Sequence, residues 1–162
     1  MDNLRSPYRI PRCPGHRALR KGRWSEPARL YLLSMVTHNR EAFFMDILAG
    51  RLVVSEMRRL DHEGCAISHA WVIMPDHLHW LVGLTEKKDL SGVAKLLKGR
   101  SALKINAHLM RKGPVWSRSF HDHAVRKDED VIHIAQYIIH NPIRAGLVYD
   151  IGSYPLWDAS WL

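Results

Sequence analysis

His77-Leu78-His79 opens a run of apolar residues that reads as a β-strand. Side chains alternate across a strand, so the two imidazoles fall on one face with Cα atoms roughly 6.5 to 7 Å apart, and two such rings can converge on one metal ion. Leu78, Trp80 and Val82 take the opposite face and give the histidines a packed strand to stand on. With eleven histidines in 162 residues, a His-x-His pair also arises by chance. A second position that could do chemistry is the segment Tyr137-Ile138-Ile139-His140-Asn141-Pro142. On a helix Tyr137 and Asn141 share a face, with His133 one turn earlier on the same stripe and Ile134 and Ile138 anchoring the helix to the core. A phenol in that place is either a packed amphipathic residue with a satisfied hydroxyl or, beside a metal site, a nucleophile.

Elements must position these side chains. Leu30 to Thr37 reads as a strand ending at the polar turn His38-Asn39-Arg40. Glu41 to Leu60 has helical spacing through Phe44, Ile47, Leu48 and Leu52, and Gly64 stops it. Ala66 to Met74 and Leu78 to Leu84 read as an antiparallel hairpin across Pro75-Asp76. Leu90 to Met110 is a long helix with Val93, Leu96, Leu97 and Leu103 on one side and Lys95, Lys98 and Lys104 among its polar positions. After the Gly113-Pro114 break, Phe120 to Arg126 is a short strand, and Asp128-Glu129-Asp130 suits the N-terminus of a helix that ends near Pro142. The order predicts an α+β protein: a ferredoxin-like βαββαβ antiparallel sheet, its helices on one face, with an additional C-terminal helix carrying Tyr137.

Composition narrows the functions. Hydrophobic residues at 46% and charged residues at 25% are globular values, which excludes a largely disordered or fibrous chain. No apolar run approaches the roughly 18 to 20 residues of a membrane span, and no secretory h-region opens the chain, so the cytoplasm is expected. Cys13 and Cys65 are too few and too far apart for a disulfide scaffold or a zinc knuckle. The 24 Lys and Arg against 16 Asp and Glu leave +8, which nominates a polyanionic partner, nucleic acid first, with a merely basic soluble protein an equal alternative on charge alone. Residues 1–23 read as a basic arm, with Arg5, Arg9, Arg12, Arg17, Arg20, Lys21 and Arg23 interrupted by prolines, and residues 24–162 as one domain. The arm either contacts phosphates or is a solvated terminus. His121-Asp122-His123 repeats the His-x-His spacing and reads as a structural or DNA-facing pair rather than a second metal site.

Met74-Pro75-Asp76-His77-Leu78-His79-Trp80-Leu81-Val82, followed by Tyr137-Ile138-Ile139-His140-Asn141-Pro142-Ile143-Arg144-Ala145-Gly146-Leu147-Val148, resembles the REP-associated tyrosine transposases, relatives of the single-strand transposases of bacterial insertion sequences. Leu19-Arg20-Lys21-Gly22-Arg23, Val36-Thr37-His38-Asn39-Arg40, Leu97-Lys98-Gly99-Arg100-Ser101 and Phe120-His121-Asp122-His123 resemble further segments of that family in the same order, from about residue 19 to about 157. The resemblance implies His77 and His79 as paired metal ligands, Asn141 as the third ligand and Tyr137 as the nucleophile. Two imidazole nitrogens and an amide oxygen leave positions open for water and phosphate, and suit Mg²⁺ or Mn²⁺.

The implied reaction is attack on a phosphodiester of single-stranded DNA beside a repetitive extragenic palindrome (REP) hairpin, giving a 5′-phosphotyrosine and a free 3′-hydroxyl. Arg20, Lys21, Arg23, Lys95, Lys98, Arg100, Lys104, Arg126 and Arg144 are the basic side chains expected to contact DNA. Trp24, Trp116 and Trp161 could stack on unpaired bases, whereas Trp71 and Trp80 in strands read as packing. Two rivals share these residues: a non-catalytic hairpin-binding or regulatory descendant, and a metal-dependent nuclease in which water attacks and Tyr137 only packs. The resemblance favours a monomer over a homodimer and a bacterial cytoplasmic, nucleoid-associated location.

Overall fold

Alternation along Leu30-Tyr31-Leu32-Leu33-Ser34-Met35-Val36 sends Tyr31, Leu33 and Met35 into the core and leaves Leu32, Ser34 and Val36 half-buried on the other side. The structure is a computed structural model that describes residues 28–126 and 130–160. Its elements are β1 (Leu30–Val36), α1 (Ile47–His62), β2 (Ala66–Met74), β3 (His77–Leu84), α2 (Leu90–His108), β4 (His121–Ala124), α3 (Val131–Ile139), the short α4 (Asn141–Arg144) and β5 (Trp157–Ala159). The sheet order is β4-β1-β3-β2-β5 with every pairing antiparallel. The expected βαββαβ arrangement is therefore present, with β5 added at one edge. At three residues, β5 is too short to carry a periodic signal.

The two sheet faces are covered by different helices. Ala49, Val53, Met57 and Leu60 of α1 and Val93, Ala94, Leu97 and Ile105 of α2 pack on Leu33, Met35, Ile73, Leu78, Trp80 and Val82. The appended helix α3 takes the other face, where Ile134, Ile138 and Ile139 pack on Ala70, Val72, Met74 and Leu81. So β3 is buried from both sides, and its odd-numbered residues, His77 and His79 among them, share a face with Leu81.

Three readings of the sequence need correction. The first helix begins at Ile47, not Glu41: Asn39 and Arg40 adopt left-handed φ values of 53° and 57°, the chain makes two short 3₁₀ turns, and Asp46 then caps the helix by accepting from the N–H groups of Leu48 (2.8 Å) and Ala49 (3.3 Å). Ile47, Leu48 and Leu103, counted as core-facing, are 44%, 54% and 76% exposed. Trp116 does not offer its ring to a base: it is 6% exposed, its indole N–H donates to Ser101 Oγ at 2.9 Å, and Phe44 lies against it at 5.3 Å between centroids. Trp71 and Trp80 are packed as expected. Trp24, Trp161 and the basic arm lie outside the described residues. Among the described residues no helix is long and apolar enough to cross a membrane.

Trp116→Ala should therefore cost about 3 to 5 kcal/mol of stability, the usual range for emptying a large aromatic site, and leave single-stranded DNA affinity unchanged. Urea denaturation and a binding titration on the folded fraction check this. A variant of native stability with weakened DNA binding would return the indole to the DNA surface.

Candidate active site

The register of β3 builds the site. His79 pairs across the sheet with Ser34 on β1 and Val72 on β2, and His77 with Val36 and Met74, so both imidazoles stand on the face that α3 covers. Their rings meet edge to face, with centroids 4.8 Å apart and planes at 79°. Each ring has its Nδ1 occupied. His77 Nδ1 lies 2.6 Å from Asp76 Oδ1, and Asp76 Oδ2 accepts from Arg40 at 3.3 Å. His79 Nδ1 lies 2.7 Å from Ser34 Oγ. Burial works to raise the pKa of Asp76, but the contacts with His77 and Arg40 outweigh it and hold the carboxyl below its usual range. An ionised carboxylate only accepts, so Nδ1 of His77 carries the proton and, in the neutral ring, Nε2 keeps its lone pair.

Burial, reinforced by the positive charges of His77, Arg144 and Arg40, pushes the pKa of His79 down to about 3. At neutral pH that ring is an uncharged donor. A ligand at its Nε2 requires the proton on Nδ1, which then donates to Ser34 Oγ.

Pro142 shapes the second half of the site. The carbonyl of Ile138 would take its helical hydrogen bond from the nitrogen of residue 142, and proline has no N–H to give. The helix stops at Ile139, and α4 restarts at Asn141 with Pro142 in its first turn. Asn141 Nδ2 donates to Ile138 O at 2.8 Å and to Tyr137 O at 3.3 Å. With its nitrogen committed to backbone, the Asn141 side chain has its oxygen left for a ligand. Arg144 reaches back to donate to Tyr137 O at 2.8 Å and lays its guanidinium over the Tyr137 ring, 3.8 Å from the centroid. The competing tyrosines have other environments. Tyr154 donates its hydroxyl to Ile73 O at 2.7 Å, and burial pushes it up to about 12; Tyr149 is fully exposed.

The sequence-predicted residues thus fall into groups. His77 and His79 are adjacent, and Tyr137, Asn141 and Arg144 cluster at the α3–α4 junction above the same sheet face, with the charge of Arg144 felt at His79. Helix α2 covers the opposite face, so Lys95, Lys98, Arg100 and Lys104 stand apart from this site. Lys98 holds the carbonyls of Ser117 and Ser119 at 2.8 and 2.7 Å, Arg100 pairs with Glu63 at 2.9 Å, and Lys104 pairs with the fully buried Glu56. Lys95 is exposed, Arg126 is exposed just beyond β4, and Arg20, Lys21 and Arg23 lie outside the described residues.

His121 pairs with Ser34 from the other side of β1, so it stands in the same cross-strand row as His79, roughly 10 Å away at Cα given two strand spacings. Among the described residues no group of three or more His, Cys, Asp or Glu side chains could hold a metal ion. Asn141, the third ligand that the resemblance implies, is an amide and so lies outside that set of residue types. Ser34, Asp76 and Arg40 were missed as members of the site. Ser34 is a polar residue on the histidine face of an otherwise apolar strand, which is a usable signal; Asp76 read only as a turn residue.

Comparisons with known proteins place this architecture. The model of the family described as "Transposase IS200 like" matches residues 29–141, a span that includes both histidines, Tyr137 and Asn141. The chain is 29% identical over 93 residues to a Haemophilus influenzae protein carrying the name REP-associated tyrosine transposase, covering 51% of this chain and 53% of that protein. It is 30% identical over 87 residues to the REP-associated tyrosine transposase of Escherichia coli K12, covering 54% of this chain and 50% of that protein. The chain spans about half the length of these curated relatives. In fold it is similar to a REP-associated tyrosine transposase solved bound to a REP hairpin, with a TM-score of 0.69 and 21% identity over 84% of this chain and 79% of that one.

The lowered pKa of His79 has a consequence for stability. Below pH 6.5, the ordinary value, the unfolded chain takes up a proton at this ring that the folded protein refuses until about pH 3. This contribution is complete above pH 6.5 and drains away as pH falls through that window, by up to about 1.4 kcal/mol per pH unit. Urea midpoints of wild type and His79→Gln between pH 6.5 and 4.5 should diverge in slope, the variant being flatter. Parallel slopes would mean that His79 is protonated in the native state.

Proposed function

The chain belongs to the IS200-like transposase family, and from that premise we propose that it cleaves and rejoins single-stranded DNA beside REP-type hairpins through a covalent 5′-phosphotyrosine at Tyr137. The observation that carries this reading is the pair of strand-borne imidazoles, each with Nδ1 tied to its own partner, on the sheet face that the Tyr137 helix covers. Tyr137 Oη attacks the scissile phosphorus, its proton passing to solvent. The bond to the 3′ oxygen breaks, and that oxygen takes up a proton as the free 3′-hydroxyl. One ester bond replaces another, so the reverse step can join a second 3′ end without ATP.

The donors fit a divalent ion, Mg²⁺ or Mn²⁺: Nε2 of His77, Nε2 of His79 and Oδ1 of Asn141, with a neutral His79 and a carboxylate orienting His77. Bound there, the ion supplies Lewis-acid polarisation of a phosphate oxygen. The ligands are held by the chain itself. Ser34 and Asp76 fix the two rings, Arg40 holds Asp76, and the backbone carbonyls of Tyr137 and Ile138 fix Asn141. Lys95, which is exposed on α2, is a described candidate for a DNA phosphate. Because the tyrosine helix packs on the sheet of its own chain, the proposed unit of action is a monomer.

The test uses labelled single strands carrying a REP-type hairpin, resolved under denaturing conditions. Wild type should yield a protein–DNA adduct, Tyr137→Phe should bind the DNA and yield none, and His77→Ala or His79→Ala should abolish divalent-dependent cleavage. Cleavage without an adduct would indicate attack by water. Binding without cleavage by wild type would indicate a hairpin-binding protein, and either result sinks the proposal. Asp76→Ala should weaken Mn²⁺ binding about 10- to 100-fold, the usual effect of removing a partner that orients a ligating histidine, as read by Mn²⁺ paramagnetic resonance without DNA. Unaltered Mn²⁺ affinity would place the ion elsewhere.

A further inference from the structure

Arg144 lies seven residues after Tyr137, two helical turns along an unbroken helix. Here the chain restarts at Asn141 and Arg144 folds back. Its guanidinium makes two different contacts with one residue. Nη2 donates to the Tyr137 carbonyl at 2.8 Å, and the guanidinium lies 3.8 Å from the centroid of the Tyr137 ring. The first contact fixes the guanidinium relative to the backbone of Tyr137, and the second fixes the ring relative to the guanidinium. Together they restrict rotation of the phenol about its side-chain bonds, which is the freedom a nucleophile must lose before it can attack in line. The Asn141 amide donates to the same carbonyl at 3.3 Å, so the proposed ligand and the proposed nucleophile share one anchoring atom.

We infer that Arg144 is a positioning residue that clamps Tyr137 in its attacking orientation, an inference that rests on Tyr137 being the nucleophile. A lysine cannot replace it. An ammonium can supply the charge, but it has neither the planar face that stacks on the ring nor the fork that reaches the carbonyl at the same time. This assignment differs from a plain phosphate contact, in which charge alone matters and DNA affinity is what suffers. Misplacement of a reacting group by about 1 Å can cost about 100-fold in rate, whereas the loss of one phosphate contact weakens binding and lowers its salt dependence.

The experiment follows two readouts in the full chain. The first is adduct formation on hairpin-flanked single strands as a function of DNA concentration for wild type, Arg144→Ala and Arg144→Lys. Both variants should lose about 10- to 100-fold in the rate at saturating DNA, with the half-saturating concentration within about 3-fold of wild type. The second is the ¹⁹F resonance of 3-fluorotyrosine placed at position 137, without DNA or metal. It should move toward the free amino-acid position in both variants, while far-ultraviolet dichroism stays at the wild-type value. Arg144→Met, which keeps the aliphatic stem, replaces Arg144→Ala if the latter does not fold.

A normal saturating rate with a raised half-saturating concentration would make Arg144 a DNA contact and overturn the inference. Recovery of the rate in Arg144→Lys, or an unmoved ¹⁹F resonance, would do the same. Adduct formation by Tyr137→Phe would instead remove the nucleophile assignment itself, while the ¹⁹F readout would still report separately on the clamp.

Discussion

The register of β3 is the constraint on which the rest of this molecule depends. One face of the strand, Leu78, Trp80 and Val82, is locked into the core beneath α1 and α2, and the other carries His77 and His79. A slip of one residue against β1 would turn the histidines into the apolar layer of Leu33 and Met35 and push Trp80 out of it. Burial of an indole and two aliphatic side chains opposes that slip by several kcal/mol. The ordinary core thus aims the polar face, and the short Pro75-Asp76 turn between β2 and β3 fixes where along the strand the pair begins.

Electrostatics then separates the roles of two neighbouring rings. His79 sits deeper, among positive neighbours and with a neutral hydroxyl at Nδ1, and it stays uncharged. His77 has a carboxylate at the same atom, and that carboxylate is in turn held by Arg40. The arginines near this face, Arg40 and Arg144, are each committed to a protein group: one to Asp76, the other to the carbonyl and ring of Tyr137. The site therefore combines an uncharged His79 with fixed positive charge, a combination suited to a polyanion whose phosphates must approach without a rearrangement of the protein.

What could be read in the sequence follows the range of the interactions involved. Strands β1, β2 and β3, helix α2 and the break at Pro142 are set by local periodicity and by proline chemistry, and they lie where those signals put them. The start of α1 is not legible because Phe44 in the 3₁₀ turn of residues 43–45 continues the apolar spacing of the helix, while the extended Asp46 between them resets the chain and caps α1. The burial of Trp116 is not legible in the sequence, because it depends on Ser101 and Phe44, which are 15 and 72 positions away along the chain. The pairing of His79 with Ser34 spans 45 residues and appears only once β1 and β3 are in register. His77, His79, Tyr137 and Asn141 could be named from their spacing and from the family resemblance; the groups that orient them could not.

The Asn-Pro-x-Arg order at the end of α3 shows how a local defect can become a device. In a continuous helix the carbonyls of Tyr137 and Ile138 would be satisfied by backbone N–H groups, and the side chains of Asn141 and Arg144 would have no reason to turn inward. Proline at position 142 removes the donor owed to Ile138. The cost of a bare carbonyl, about 1 to 3 kcal/mol if left buried and unpaired, is avoided because the Asn141 amide fills the gap. That substitution leaves the amide oxygen, not the nitrogen, as the atom available to a cation. The same interruption lets Arg144 reach the Tyr137 carbonyl and ring together. A missing backbone proton thus engages the Asn141 nitrogen, and the interruption that comes with it brings Arg144 against the carbonyl and ring of Tyr137.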